Sequence, residues 1–252
     1  MSEEILANWL LLGWIIVALA IGVLLFFVNA PYGRYLRTGW GPTFGARQGW
    51  LVMESAAALW LVLFFVLGSA HGPVSWIFLL MWEVHYVHRA FIYPFTLPRT
   101  ARQMPLSVVT MGLAFNSVNA YLNGRHLFTF SAEYTSTWLH DPRFILGLFL
   151  FATGYIINRW ADHTLRRLRR TTDTTYAVPH GGLYRWVSCP NYLGEIIIWI
   201  GWAIATWSLP GLAFAIWTIA NLAPRARANH DWYRSHFPNY PRSRRALLPR
   251  IW

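Results

Sequence analysis

Two carboxylic acids lie where an apolar chain tolerates them least. Glu54 follows Trp50-Leu51-Val52-Met53 and precedes a further apolar stretch, and Glu83 opens Glu83-Val84-His85-Tyr86-Val87-His88-Arg89. An ionised group at the centre of a lipid-facing helix costs roughly 2.5–3.5 kcal/mol on insertion scales, so acids at that depth face a polar cavity and mark a binding or reaction centre. Further along, Asn158, Asp162, Arg166 and Arg169 recur at helical i, i+4 and i, i+3 spacing, which stacks them on one helix face. Asn191 and Glu195 repeat the i, i+4 step after Pro190, a residue suited to a first helical turn, and Arg225, Asn229 and Tyr233 repeat it again. Amides and carboxylates can meet the sugar and amide groups of a nucleotide, and arginines its phosphates. A solvated helix end closed by an Asp162–Arg166 pair accounts for the first stripe alone, but three such stripes together favour a site.

Other patterns exclude more than they suggest. His85 and His88 are spaced i, i+3 with carboxylates near in sequence, which raises a di-metal membrane oxygenase, yet the remaining histidines form no HxxHH-type group and no metal site is expected. Cys189 is the single cysteine, which removes internal disulfides and CxxC motifs and leaves it a structural role before Pro190. Trp199, Trp202 and Trp207 read as packing or interfacial anchors. There is no GxGxxG or GKS/T motif, so a dinucleotide bound here is bound outside a Rossmann fold.

The elements that must position these groups are membrane helices. The chain has 252 residues, 56% hydrophobic and 12% charged, with 16 Trp, the composition of a polytopic membrane protein. A helix crossing a hydrocarbon core of roughly 30 Å needs about 20 apolar residues, and seven segments qualify, near 5–29, 47–70, 74–96, 104–123, 143–161, 190–208 and 210–228. The first lacks a basic n-region and a small-residue cleavage site and is expected to be retained. All 21 basic residues are Arg, and the loops sort them so that only Arg125 and Arg143 fall on one side. The positive-inside rule then places the N-terminus on the non-cytoplasmic face and the C-terminus in the cytoplasm. The net charge of +11 therefore reflects topology; the arginines are dispersed between apolar spans, and no nucleic-acid partner is expected. The whole chain, 1–252, reads as one all-α membrane domain with two working halves, 1–142 for substrate and 143–252 for a nucleotide.

With the motifs assembled, their order and spacing resemble the steroid 5α-reductase family: His85-Tyr86-Val87-His88-Arg89, Asn158 with Asp162, Gly181-Gly182-Leu183-Tyr184, Pro190-Asn191-Tyr192-Leu193-Gly194-Glu195, Ala203 through Pro210, and Tyr240-Pro241-Arg242-Ser243-Arg244-Arg245. The resemblance runs over nearly the whole chain, is densest after about residue 140, and is closest to the steroid-reducing branch. It implies a seven-helix membrane enzyme, bacterial in type, that uses NADPH to reduce the C4=C5 bond of 3-oxo-Δ4 steroids such as testosterone or progesterone. Glu54 resembles the family's steroid-side carboxyl and Tyr86 its tyrosine partner. Asn158, Asp162, Arg169, Tyr176, Asn191, Glu195, Arg225, Asn229 and Tyr233 resemble NADPH-contacting positions, and a phosphate role is left open between Arg99 and Arg102.

The implied chemistry suits those residues. An alkene accepts hydride when conjugated to a carbonyl, because charge can move to the carbonyl oxygen, and donors aimed at that oxygen contribute most to such catalysis. The Tyr86 hydroxyl can donate; Glu54 can donate only as the neutral acid, the form that burial in an apolar bundle favours. The expected partners are an apolar enone substrate and membrane lipid, with no obligate protein partner, in a bacterial inner membrane or the endoplasmic reticulum. Rival readings are a related reductase of enoyl-CoA, polyprenol or sterol double bonds, an isoprenylcysteine-type S-adenosylmethionine methyltransferase, and a seven-helix receptor or transporter.

Overall fold

Apolar runs fold as helices where water is absent, because each backbone N–H and C=O must then be satisfied within its own segment. The structure is a computed structural model that describes residues 2–97, 103–132, 134–171 and 176–252, with the backbone alone for 169–171. Helices stand at every expected apolar run: α1 (Glu3–Phe27), α2 (Ala46–Leu67), α3 (Pro73–Val87), which continues through a π-helical turn His88–Ile92 into α4 (Tyr93–Thr96), α5 (Leu106–Arg125), α6 (Pro142–Thr171), α7 (Pro190–Thr206) and α8 (Leu209–His236). Among the described residues, three helices are long and apolar enough to cross a membrane: α1, α2 and α6 over Pro142–Leu168. The α3 and α7 segments are only 15 and 17 residues long. Large apolar side chains such as Trp9, Ile16, Leu19 and Val23 on α1 are exposed, an apolar surface suited to lipid.

The chain clusters into two compact units. The first comprises Met1–Leu12 and Ala30–Ile145. Within it, strands β1 (Thr43–Gly45) and β2 (Gln103–Pro105) pair antiparallel with Phe44 opposite Met104, so that α2 and α5, which follow them directly, start side by side. Leu106 N donates to Pro42 O at 2.8 Å and Ser107 Oγ to Trp40 O at 2.7 Å, closing that end. Glycines let the helices approach: a Cβ on Gly112 would meet Met53 Sδ at 2.8 Å, and one on Gly124 would meet Phe64 Cβ at 2.8 Å. At the far end of α5 the Arg125 guanidinium grips Glu3 with two bonds, Nε to Oε1 at 2.8 Å and Nη2 to Oε2 at 2.6 Å, and Tyr121 adds a third at 3.1 Å. Arg143 is held likewise by Asp141, whose Oδ1 also accepts from the Arg143 backbone N–H at 2.8 Å and so caps the start of α6. Both arginines that fall on the sparsely charged side are thus in ion pairs.

The second unit comprises Gly13–Asn29 and Leu146–Trp252. Its central feature is a seam of glycines, Gly147 and Gly154 on α6 against Gly194 and Gly201 on α7. A Cβ on Gly154 would lie 2.6 Å from Gly194 O, one on Gly194 2.6 Å from Asn158 N, and one on Gly201 2.5 Å from Phe151 N. The two backbones touch, as small residues permit in membrane helix pairs. Trp207 then turns the chain in the left-handed region (φ 44°), and the Ser208 hydroxyl accepts from Gly211 N at 3.1 Å to cap α8. The α7–α8 pair packs through Trp199 on Phe214 at 3.9 Å, and the second half of α1 lies on α8 with Trp14 and Trp217 at 4.7 Å. The α8 helix passes Pro224 and continues to His236, beyond the expected end near 228. The C-terminal tail returns to the start of α7, where Ser188 N donates to Arg245 O at 2.8 Å and Cys189 N to Ala246 O at 3.2 Å. Cys189 itself is buried.

The seam makes a direct prediction. Gly154→Val forces side-chain carbons into the α7 backbone and is expected to cost about 3 kcal/mol or more, read as a lowered thermal midpoint by tryptophan fluorescence in detergent. Gly13→Val, where an added Cβ meets nothing within 4 Å, is expected to leave the midpoint nearly unchanged.

Candidate functional site

In the first unit, Glu54 sits two turns into α2 with 7% of its surface exposed. Its Oε1 accepts from Arg89 Nε at 3.3 Å and its Oε2 from Asn116 Nδ2 at 3.5 Å. Arg89 lies in the π-helical turn after α3, a widened turn of the kind that often marks functional sites. Its guanidinium also lies 5.0 Å over the Trp50 ring, which is held edge-on by Tyr93 at 5.4 Å. Tyr86 is 3% exposed; its ring lies against Trp82 at 4.9 Å and its hydroxyl donates to Asn116 Oδ1 at 3.5 Å. Asn116 is itself anchored by a 2.6 Å bond from Nδ2 to Met53 O. The structure therefore brings Glu54 and Tyr86 to one shared carboxamide.

One expectation changes. Burial alone favours a neutral Glu54, but the structure places a guanidinium beside it, so the group enters the site as half of an ion pair. Arg89 is 35 positions from Glu54, and the two meet because the helix that begins with α3 packs on α2, where Trp82 Nε1 donates to Ala57 O at 3.0 Å. Glu83 is half-buried on α3, and its Oε1 has no hydrogen-bond partner among the described residues.

The second unit gathers another polar set across the glycine seam. Asn158, 2% exposed, donates from Nδ2 to Asn191 O and to Glu195 Oε2, both at 2.9 Å, and its Oδ1 accepts from the Arg159 guanidinium. Asn191 Nδ2 donates to Asp162 Oδ1 at 3.2 Å, and Asp162 Oδ2 lies 3.6 Å from Arg159 Nη2. Asn158, Asp162, Asn191 and Glu195 are thus one network. Arg225 and Asn229 meet through Tyr192, with the guanidinium 5.7 Å over its ring and Asn229 Nδ2 donating to its hydroxyl at 3.4 Å. Tyr176 lies against Trp232 at 5.1 Å, and Tyr233 stacks on Tyr240 at 5.4 Å. The Arg169 side chain, Arg99 and Arg102 lie outside the described residues.

Asn116, Arg159 and Tyr192 are members of these networks that sequence reasoning passed over. Asn116 had a signal: Asn116, Asn119 and Asn123 fall on one face of α5 and all three are buried. Arg159 sits one position off the Asn158–Asp162 stripe and was hidden by it.

Where the tail meets α8, the Ser188 hydroxyl lies 2.6 Å from both His230 Nδ1 and the Tyr240 hydroxyl. Arg244 is 3% exposed; Nη2 approaches His180 Nδ1 at 3.4 Å, while Nε and Nη1 have no hydrogen-bond partner among the described residues. A buried guanidinium with unused donors is suited to an anion.

The family model described as 3-oxo-5-alpha-steroid 4-dehydrogenase matches residues 102–252. The chain is 40% identical to steroid 5-alpha-reductase DET2 of Gossypium hirsutum over 100% of its own length and 99% of that protein. It is 38% identical to steroid 5-alpha-reductase DET2 of Arabidopsis thaliana, over 100% and 98% of the two chains. With 3-oxo-5-alpha-steroid 4-dehydrogenase 1 of Homo sapiens it shares 40% identity over 88% of its own length and 86% of the human chain.

The His230 node generates a pH prediction. Burial pushes the imidazole below its ordinary value of 6.5, with Asp231 opposing and Arg234, Arg245 and Arg244 adding to the shift. The folded state therefore prefers neutral His230, and as pH falls below the ordinary value the unfolded chain takes up the proton first. Stability from this group is complete above that value and eroded below it. Between about pH 7.5 and 5 the thermal midpoint of the wild type is expected to fall further than that of His230→Gln.

Proposed function

Because the chain belongs to the 3-oxo-5-alpha-steroid 4-dehydrogenase family, we propose that it reduces the C4=C5 bond of 3-oxo-Δ4 steroids to 5α-dihydro products with NADPH. The observation that carries this reading is the joint hydrogen bonding of Glu54 and Tyr86 to Asn116, deep in an apolar unit. A steroid ketone oxygen needs a donor when the enone takes hydride and its electron pair moves to oxygen. The Tyr86 hydroxyl gives that oxygen a hydrogen bond and keeps its proton, and C4 takes a proton that comes from water as the enolate collapses to ketone. Glu54 serves as a second donor only when it is neutral and Arg89 has released it; in the ion pair it holds Arg89 and Asn116 in place. The names of the relatives place this substrate ahead of an enoyl-CoA, a polyprenol or a methyl acceptor.

NADPH, when bound, supplies the hydride. The residues proposed to hold it are Asn158, Asp162, Arg169, Tyr176, Asn191, Glu195, Arg225, Asn229 and Tyr233. Amides and carboxylates joined in one network suit the sugar and nicotinamide groups, and the unused donors of buried Arg244 fit the phosphate-rich end. The chain is proposed to be an integral membrane protein with seven spans, its N-terminus outside and its C-terminus cytoplasmic, in a bacterial inner membrane or the endoplasmic reticulum. Support for that orientation comes from the uneven distribution of the arginines, of which only Arg125 and Arg143 fall in loops on the non-cytoplasmic side.

Purified protein in detergent is expected to oxidise NADPH only when testosterone or progesterone is present, giving a product heavier by H2. Folded protein that binds S-adenosylmethionine and no NADPH would sink the proposal. Glu54→Ala is expected to lower kcat/KM by about 100-fold, roughly 2.7 kcal/mol of transition-state stabilisation, with NADPH affinity unchanged. Glu54→Gln keeps an N–H donor, and a loss of less than about tenfold would identify donation, rather than charge, as the role of this side chain.

A further inference from the structure

Glu54 and Tyr86 stand on different helices, α2 and α3, and Asn116 on α5 touches both. Its orientation is determined. The Met53 carbonyl, 2.6 Å from Nδ2, can only accept, so the nitrogen faces α2 and Oδ1 faces Tyr86. In that orientation Nδ2 can give its second hydrogen to Glu54 Oε2, and Oδ1 can only receive the Tyr86 proton. The contacts differ in strength as well as direction. The bond to the backbone is short, whereas the two to Glu54 and Tyr86 are each 3.5 Å, at the outer limit of a hydrogen bond. Asn116 is 4% exposed, at a position where leucine would fill a similar volume without a carboxamide to desolvate.

We propose that Asn116 is a positioning residue for the reduction: its Oδ1 accepts the Tyr86 hydrogen bond before substrate binds and yields that bond to the steroid ketone oxygen, the proton staying on the phenol, while its Nδ2 keeps Glu54 in register. The proposal rests on the reading of Glu54 and Tyr86 as the carbonyl-polarising pair. A phenol has one proton to give, and a tight acceptor would compete with the substrate for it. A long bond to a neutral amide orients the hydroxyl yet loses to the developing oxyanion, because hydrogen bonds to charged acceptors are roughly twice as strong.

A double-mutant cycle tests this, with kcat and KM for progesterone measured at saturating NADPH in wild type, Asn116→Ala, Tyr86→Phe and the double variant. Asn116→Ala is expected to lower kcat about tenfold with KM changed less than about threefold, and to cost clearly less, about threefold, in the Tyr86→Phe background, where only the contact to Glu54 remains to be lost. Asn116→Ser, which keeps an acceptor oxygen, is expected to recover part of the loss. If the alanine variant does not fold, Asn116→Leu takes its place in the cycle. An equal loss with and without the Tyr86 hydroxyl would mean a packing role and overturn the proposal while leaving the pair intact. Wild-type kcat in Tyr86→Phe would overturn the reading of the pair, and the proposal with it.

Discussion

A carboxamide buried between a backbone carbonyl and a carboxylate recurs in both units, and the polar chemistry of each depends on it. Asn116 donates to Met53 O and Glu54, and Asn158 donates to Asn191 O and Glu195. Each amide oxygen then takes a donor of its own, Tyr86 in one unit and Arg159 in the other. The constraint behind this is severe. In an apolar interior a polar group left without a partner costs more than a satisfied one contributes. A carboxamide meets the demand at both ends while adding no charge, so it can carry an acid into the interior without a second ion at every contact.

The packing that allows these amides to reach their partners differs between the units. In the second, the glycine seam brings the α6 and α7 backbones into contact, and Asn158 needs no reach to find Asn191 O. In the first, Arg89 reaches Glu54 from the π-helical turn that continues α3. Close approach suits a site that must be rigid. A long ion pair and two long hydrogen bonds suit a site whose donors must change partner during a reaction.

The helices were legible because hydrophobicity in a membrane protein is a one-dimensional signal: an apolar run long enough to span declares itself wherever it falls. The polar stripes were legible for a similar reason, since i, i+4 spacing fixes a face regardless of tertiary structure, and Asn158, Asp162, Asn191 and Glu195 do meet. What sequence could not carry were contacts set by helix packing. The Glu54–Arg89 pair and the placing of Asn116 against Met53 O join positions 35 and 63 apart, and no local pattern encodes either. The glycines of α6 and α7 were visible but not read: spaced seven apart on each helix, Gly147 and Gly154, and Gly194 and Gly201, define a stripe of the period that keeps two helices in contact. The α8 helix outruns its apolar stretch because a helix, once formed, continues into water as long as its residues permit.

The bond between Glu3 and Arg125 has a consequence for how the protein is made. The ribosome delivers α1 before α5, and the guanidinium that takes up the Glu3 charge follows 122 residues later. The other half of α1 waits longer still, for Trp217 on α8 to meet Trp14. Helix α1 is therefore fastened late both near its start and along its middle, and until then it relies on its own apolar length. A nascent chain stalled before residue 121 would hold the Glu3 anion with neither Tyr121 nor Arg125 to meet it, an intermediate for membrane insertases and quality-control proteases to act on.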